Sequence, residues 1–225
     1  VTRRHHRTLL VIATVVAMLV APINFAHAVL RDMIIVGTSI EFGTGLAAGQ
    51  SWPSRLQART PGWTITDMSK PGGAYTATDE TGDDIRAHVD AAIALDPDLL
   101  IIGGPVNDLV RLNDITPLRE AVFEAVNAAT TAGVPVLVMG IFPFTDCANC
   151  AFQAGWWPNL ESRRTTYNNW AKAMYGQRYV DLSWWLKETA TSRGDSRWFR
   201  DGLHPYRVGA ALIAEAFPTD KLELT

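Results

Sequence analysis

The residues best suited to covalent chemistry stand at opposite ends of the chain. Near the start, the apolar run Met33 to Val36 breaks at Gly37 into a small-residue turn, Gly37-Thr38-Ser39, that carries one serine hydroxyl. Near the end stands Asp201-Gly-Leu-His204. A serine hydroxyl is a weak nucleophile at its ordinary pKa, so it needs a base and a group that orients the base. His204 can take the Ser39 proton. Asp201, three residues earlier, can reach the other imidazole nitrogen and fix its tautomer. Attack on a carbonyl would also build an oxyanion that needs preorganised donors. The candidates are the Ser39 amide, an amide of the Gly72-Gly73 pair, and the side-chain amide of Asn107 in Gly104-Pro-Val-Asn107-Asp108.

These groups follow one another along an alternation of strand and helix. Short apolar runs fit buried parallel strands at Met33 to Val36, Trp63 to Met68, Leu99 to Ile102, Val134 to Met139 and Tyr179 to Leu182. Helical patterns lie between and after them, at Leu46 to Arg59, Asp84 to Leu95, Pro117 to Ala132, Glu161 to Tyr175 and Tyr206 to Phe217. Strands joined by helical crossovers predict an α/β fold with a parallel sheet of about five strands and helices on both faces. In such sheets functional groups gather beyond the carboxyl ends of the strands. Ser39 follows the first strand, Gly72 and Gly73 the second, and Asn107 the third.

Serine after the first strand, glycine after the second, Gly-x-Asn-Asp after the third and a C-terminal Asp-x-x-His form the pattern of the SGNH or GDSL hydrolases, which this chain resembles over nearly its whole length from Val29. The resemblance implies a flavodoxin-like three-layer α/β/α sandwich and ester hydrolysis through an acyl-enzyme, with Ser39 as nucleophile, His204 and Asp201 as the remaining dyad, and Ser39, Gly72 or Gly73, and Asn107 as the oxyanion donors. Two positions depart from the pattern. Thr38 stands where the family has Asp before the serine, and two residues rather than one separate Gly104 from Asn107. A non-catalytic binding module derived from such a hydrolase is the alternative from another class, and an acyltransferase or carbohydrate deacetylase would use the same residues.

Other readings account for less. An α/β-hydrolase elbow needs glycine two residues after the serine, where the chain has Glu41. Gly43-Thr-Gly45-Leu-Ala-Ala48, with Asp67 after it, fits a dinucleotide fingerprint, but Gly43 comes too long after the strand. No cofactor is called for. Three of the five histidines precede Val29, leaving only His88, read as part of a solvated helix face, and His204, so no histidine-rich metal site is expected.

Val1 to Ala28 reads as a secretory signal: Arg3, Arg4 and Arg7 head an apolar run, and Ala26-His27-Ala28 has the form of a cleavage site. The run is short for a membrane span, so a secreted or extracytoplasmic single domain from Val29 onward is expected, with an uncleaved anchor as the alternative. Without the three arginines, the 20 basic residues become 17 against 23 acidic ones, and the formal charge moves from −3 to −6. That balance disfavours nucleic acid and leaves a small-molecule, lipid or glycan ester as the expected partner. In an oxidising compartment Cys147 and Cys150 are expected to form a local disulfide, within a long Phe142 to Leu160 connection that also holds Trp156 and Trp157.

Overall fold

A computed structural model describes residues 30–77, 84–145, 157–188 and 194–224. The expected signal, Cys147, Cys150 and Trp156 lie outside the described residues. Five strands, β1 (Arg31–Val36), β2 (Trp63–Asp67), β3 (Leu99–Ile102), β4 (Val136–Met139) and β5 (Tyr179–Val180), form one parallel sheet in the order β2-β1-β3-β4-β5. β1 and β3 are in register from Met33 opposite Leu99 to Val36 opposite Ile102. All eight of those residues are buried, which is why both strands read as unbroken apolar runs rather than alternating ones.

The helices are α1 (Ser39–Phe42), α2 (Trp52–Arg59), α3 (Ile85–Ile93), α4 (Val106–Arg111), α5 (Thr116–Thr131), α6 (Trp157–Tyr175), α7 (Ser183–Leu186) and α8 (Arg207–Ala216). The chain steps from β1 outward to β2 and then back past β1 to β3, β4 and β5. Right-handed crossovers in those two directions put their helices on opposite faces. α2 packs against α8, whereas α3 packs against α5. The strand order reverses at β1, so the chain leaves β1 and β3 side by side at the carboxyl edge, where the Gly103 amide donates to the Val36 carbonyl at 2.7 Å.

Three expectations need correction. The pattern read as a helix from Leu46 starts at Trp52, because Gly45 and Gly49 sit at φ of 78° and 75° and Ser51 caps the helix by accepting from the Ser54 amide. No helical pattern is read between the third strand and Pro117, yet α4 forms there, with Asn107 in its first turn. His88 is not on a solvated face: it is half-buried, and its Nδ1 lies 2.9 Å from the Met68 carbonyl, tying α3 to the end of β2.

The α2–α8 contact is centred on Trp52, fully buried, whose ring stacks on Phe217 at 6.0 Å between centroids. Leu56 on α2, and Ile213 and Ala214 on α8, are buried in the same core. Arg59 adds a guanidinium bond to the Ala214 carbonyl and a 3.4 Å ion pair with Glu215. Deleting a buried indole removes both transfer energy and packing, so Trp52→Ala should cost about 3–5 kcal/mol of stability, read as a lower urea midpoint at unchanged slope.

Candidate active site

The site is assembled from four turns at the carboxyl edge of the sheet. The first follows β1, where Gly37 and Thr38 lead into α1 and Ser39 opens that helix. α1 lasts a single turn because Gly43 ends it in the left-handed conformation, at φ of 78°. The Ser39 amide is among the first amides of the helix, which have no partner within it.

The last turn brings His204. Residues 198–206 fold back on themselves, held by Arg200 donating to the His204 carbonyl at 2.9 Å and Tyr206 donating to the Trp198 carbonyl at 2.7 Å. Asp201 sits at the tip. Its Oδ1 accepts from the amides of Leu203 at 3.2 Å and His204 at 2.7 Å, and its Oδ2 lies 2.7 Å from His204 Nδ1. On the other side of the ring, His204 Nε2 lies 2.8 Å from Ser39 Oγ. With the Nδ1 proton donated to Asp201, Nε2 is left to accept the Ser39 hydroxyl. Burial by itself would raise the Asp201 carboxyl. The amide and imidazole of His204 and the amide of Leu203 outweigh it and hold the group below its ordinary value. The Arg200 guanidinium is a more distant partner, at 3.7 Å.

The second and third turns meet each other through Asn107 and Gly73. Asn107 Nδ2 donates to the Gly73 carbonyl at 2.8 Å, leaving the second N–H of that amide uncommitted among the described residues. The Gly73 amide donates to the Lys70 carbonyl at 3.0 Å inside its own turn. The Gly72 amide has no acceptor among the described residues, and the Gly72 carbonyl accepts from Arg111 at 2.9 Å. Asp108, fully buried, accepts from the Tyr75 and Thr76 amides at 3.0 and 2.8 Å and from the Thr76 hydroxyl at 2.7 Å. It thereby clamps the glycine turn to α4.

Every residue singled out as a nucleophile, base, orienting acid or oxyanion donor thus lies at this edge. Three further groups were not read as part of the site. Asp108 is hidden in sequence because an Asn-Asp pair looks like turn chemistry. Tyr75 donates from its hydroxyl to the Gly103 carbonyl at 3.0 Å, and burial pushes that hydroxyl well above its ordinary value, so it stays protonated. Glu41, buried under the Ser39 turn, was visible as the fourth residue of Thr38-x-x-Glu41, a helix-capping pattern. Trp184 and Trp185 are exposed on α7, and Trp198 is half-buried beneath the Arg197 guanidinium.

Solved structures with this fold include a member of the lipolytic G-D-S-L family from Veillonella parvula, at 16% identity and a TM-score of 0.63 over 82% of this chain and 94% of that one. A psychrotrophic esterase, EstA, from Pseudoalteromonas aligns at 16% identity and 0.58 over 86% and 94%. An acetyl xylan esterase, AlAXEase, aligns at 13% identity and 0.61 over 86% and 98%. Among curated protein sequences there is no match. At these identities the structures speak for the fold. The sequence itself matches the GDSL-like lipase/acylhydrolase family over residues 35–212, most of the chain, and the protein belongs to that family of ester hydrolases.

Proposed function

We propose that the chain is a serine esterase that cleaves carboxylic esters through an acyl-enzyme on Ser39. The observation that carries this is the continuous relay from Ser39 Oγ to His204 Nε2 at 2.8 Å and from His204 Nδ1 to Asp201 Oδ2 at 2.7 Å. As the ester binds, Ser39 Oγ attacks the carbonyl carbon and its proton passes to His204 Nε2. The imidazolium formed is stabilised by the Asp201 carboxylate. The tetrahedral oxyanion takes hydrogen bonds from the Ser39 and Gly72 amides and the spare N–H of Asn107. Gly72 is preferred to Gly73 in this role because the Gly73 amide already donates to the Lys70 carbonyl. His204 returns its proton to the departing alkoxide as the carbon–oxygen bond breaks. A water then enters the same sequence, giving its proton to His204 and releasing the acid and Ser39. The basic-headed apolar stretch before Val29 supports export as the setting for this chemistry.

Two substitutions test the roles. Ser39→Ala should abolish p-nitrophenyl butyrate turnover and block labelling by a phosphonate, the class of reagent that inhibits the Pseudoalteromonas esterase. The melting temperature should stay close to that of the parent. Retention of more than a few per cent of activity would overturn the assignment. Asn107→Ala removes one oxyanion donor and should lower kcat by about 10²-fold. An unchanged rate would remove Asn107 from the site.

The acid limb of the pH profile tests the dyad. A depressed carboxyl contributes stability that is present above its unfolded value and lost as the pH falls through its folded value. Asp201, held below its ordinary value, therefore stays ionised on mild acidification, so that its bonds to the His204 turn persist. Activity lost on mild acidification should return fully when an aliquot is brought back to neutral pH, as measured by initial rates.

A further inference from the structure

Beneath the reacting groups lies a carboxyl that the relay does not use. Glu41 is 2% exposed, and its Oε2 accepts from the Thr38 amide at 2.8 Å and from the Thr38 hydroxyl at 3.3 Å. The space it occupies exists only because two neighbours are glycine. A Cβ at Gly37 would stand 2.5 Å from the Glu41 side chain, and one at Gly103 would stand 2.7 Å from it. Gly37 ends β1 and Gly103 follows β3, so the carboxyl is wedged at the point where those two strands part. None of its hydrogen bonds is to a cation. A buried carboxyl without a cation is costly, and a well-packed apolar side chain would serve the fold better.

We propose that Glu41 is a positioning residue for Ser39: by holding the Thr38 amide and hydroxyl from below, it fixes the peptide that enters α1 and so aims the Ser39 amide and Oγ at the oxyanion and at His204. The inference rests on Ser39 being the nucleophile. Ser39 is flanked by this carboxyl's two bonds on one side and by the His204 bond on the other, so the nucleophile is held in a turn tied at both ends. An ionised Glu41 makes charge-assisted bonds to Thr38, stronger than those of the neutral acid. Burial, first, raises the Glu41 carboxyl to about 7, the Thr38 bonds oppose that rise, and the Asp67 carboxyl at the end of β2 adds to it. Tyr75, protonated, faces the same pocket, with Asp108 beyond it. Around neutral pH the grip on Thr38 therefore changes with the charge of Glu41, and turnover rises as Glu41 ionises.

Glu41→Ala and Glu41→Gln, compared with the parent and with Ser39→Ala, provide the test. Rates are expressed per active site titrated with a phosphonate, so that a misfolded fraction does not count. Glu41→Ala should lower kcat by about 10- to 100-fold with KM within about two-fold, the signature of misaimed rather than unbound substrate. Glu41→Gln keeps an acceptor for Thr38 and should restore kcat to within several-fold of the parent, but its acid limb should lack the ionisation near pH 7 that Glu41 gives the parent. Unfolding adds a second readout. A carboxyl raised on folding contributes stability that is complete below its unfolded value and lost as the pH rises through about 7. The parent's melting temperature should carry that loss, and Glu41→Gln should not. A per-site kcat for Glu41→Ala equal to the parent's would overturn the proposal, and if that variant does not fold, an acid limb in Glu41→Gln identical to the parent's would do the same. Substantial turnover by Ser39→Ala would instead show that the nucleophile itself was misassigned.

Discussion

The 2.8 Å contact between Ser39 and His204 joins residues 165 positions apart, and the rest of the architecture can be understood as what makes that contact hold. Each partner sits on a tight turn that could not be positioned alone. α2 leaves the Ser39 side of the site within ten residues of α1, and α8 begins three residues after His204. These two helices pack directly on each other through Trp52, Phe217 and the Arg59 bonds. Burial of their apolar faces thus supplies, at a distance, the force that brings the Ser39 hydroxyl within reach of the His204 imidazole. A displacement of about 1 Å at such a site can cost about 10²-fold in rate, so the seam acts on geometry as well as on stability.

The polar groups under the site divide by how completely they are satisfied. Asp108 is enclosed but receives three donors from Tyr75 and Thr76, which offset its burial and lock the second turn to α4. Arg164, equally enclosed, meets the Glu161 carboxylate at Nε and Nη2 and the Ile141 carbonyl and Ser183 hydroxyl at Nη1. That arrangement ties α6 to the chain leaving β4 and to α7. Hydrogen bonds to charged groups are worth about 1.5–3 kcal/mol each, so such clusters hold loops that carry little apolar surface. Glu41 stands apart. Apart from its own amide, it accepts among the described residues only from Thr38, through one short and one long bond.

What could be read from sequence followed the strength of the local signal. β3 and the Met33 to Val36 part of β1 were plain because both faces are covered there, leaving no polar residue to interrupt them. Asp201 and His204 stood out because only two residues separate a carboxyl from an imidazole, and the two side chains do meet within that turn. The start of α2 was misplaced because the small, apolar run Leu46-Ala-Ala fits a helix as well as a loop, and only the backbone angles at Gly45 and Gly49 distinguish them. His88 was misread because its partner is a carbonyl 20 residues away, which no pattern on its own helix reveals. The choice between Gly72 and Gly73 was likewise undecidable from adjacent identical residues. The two differ in one bond that no sequence pattern shows, from the Gly73 amide to the Lys70 carbonyl.

The departure at position 38 is best understood with Glu41 in view. The family places a carboxylate immediately before its serine; here that position holds a threonine with no exposed surface, and a carboxyl three residues later reaches back to it. The two sites are not independent. An aspartate at position 38 would put a second carboxyl against Glu41 in a pocket whose nearest further titratable groups are Asp67 and Tyr75, neither of them cationic. Two enclosed carboxyls in contact cannot both ionise, so one would keep its proton and share it with the other, and Glu41 would no longer be the only carboxyl at that turn. Threonine at 38 and glutamate at 41 therefore form a matched pair. The glycines at 37 and 103 belong to it as well, because without them the carboxyl has nowhere to stand.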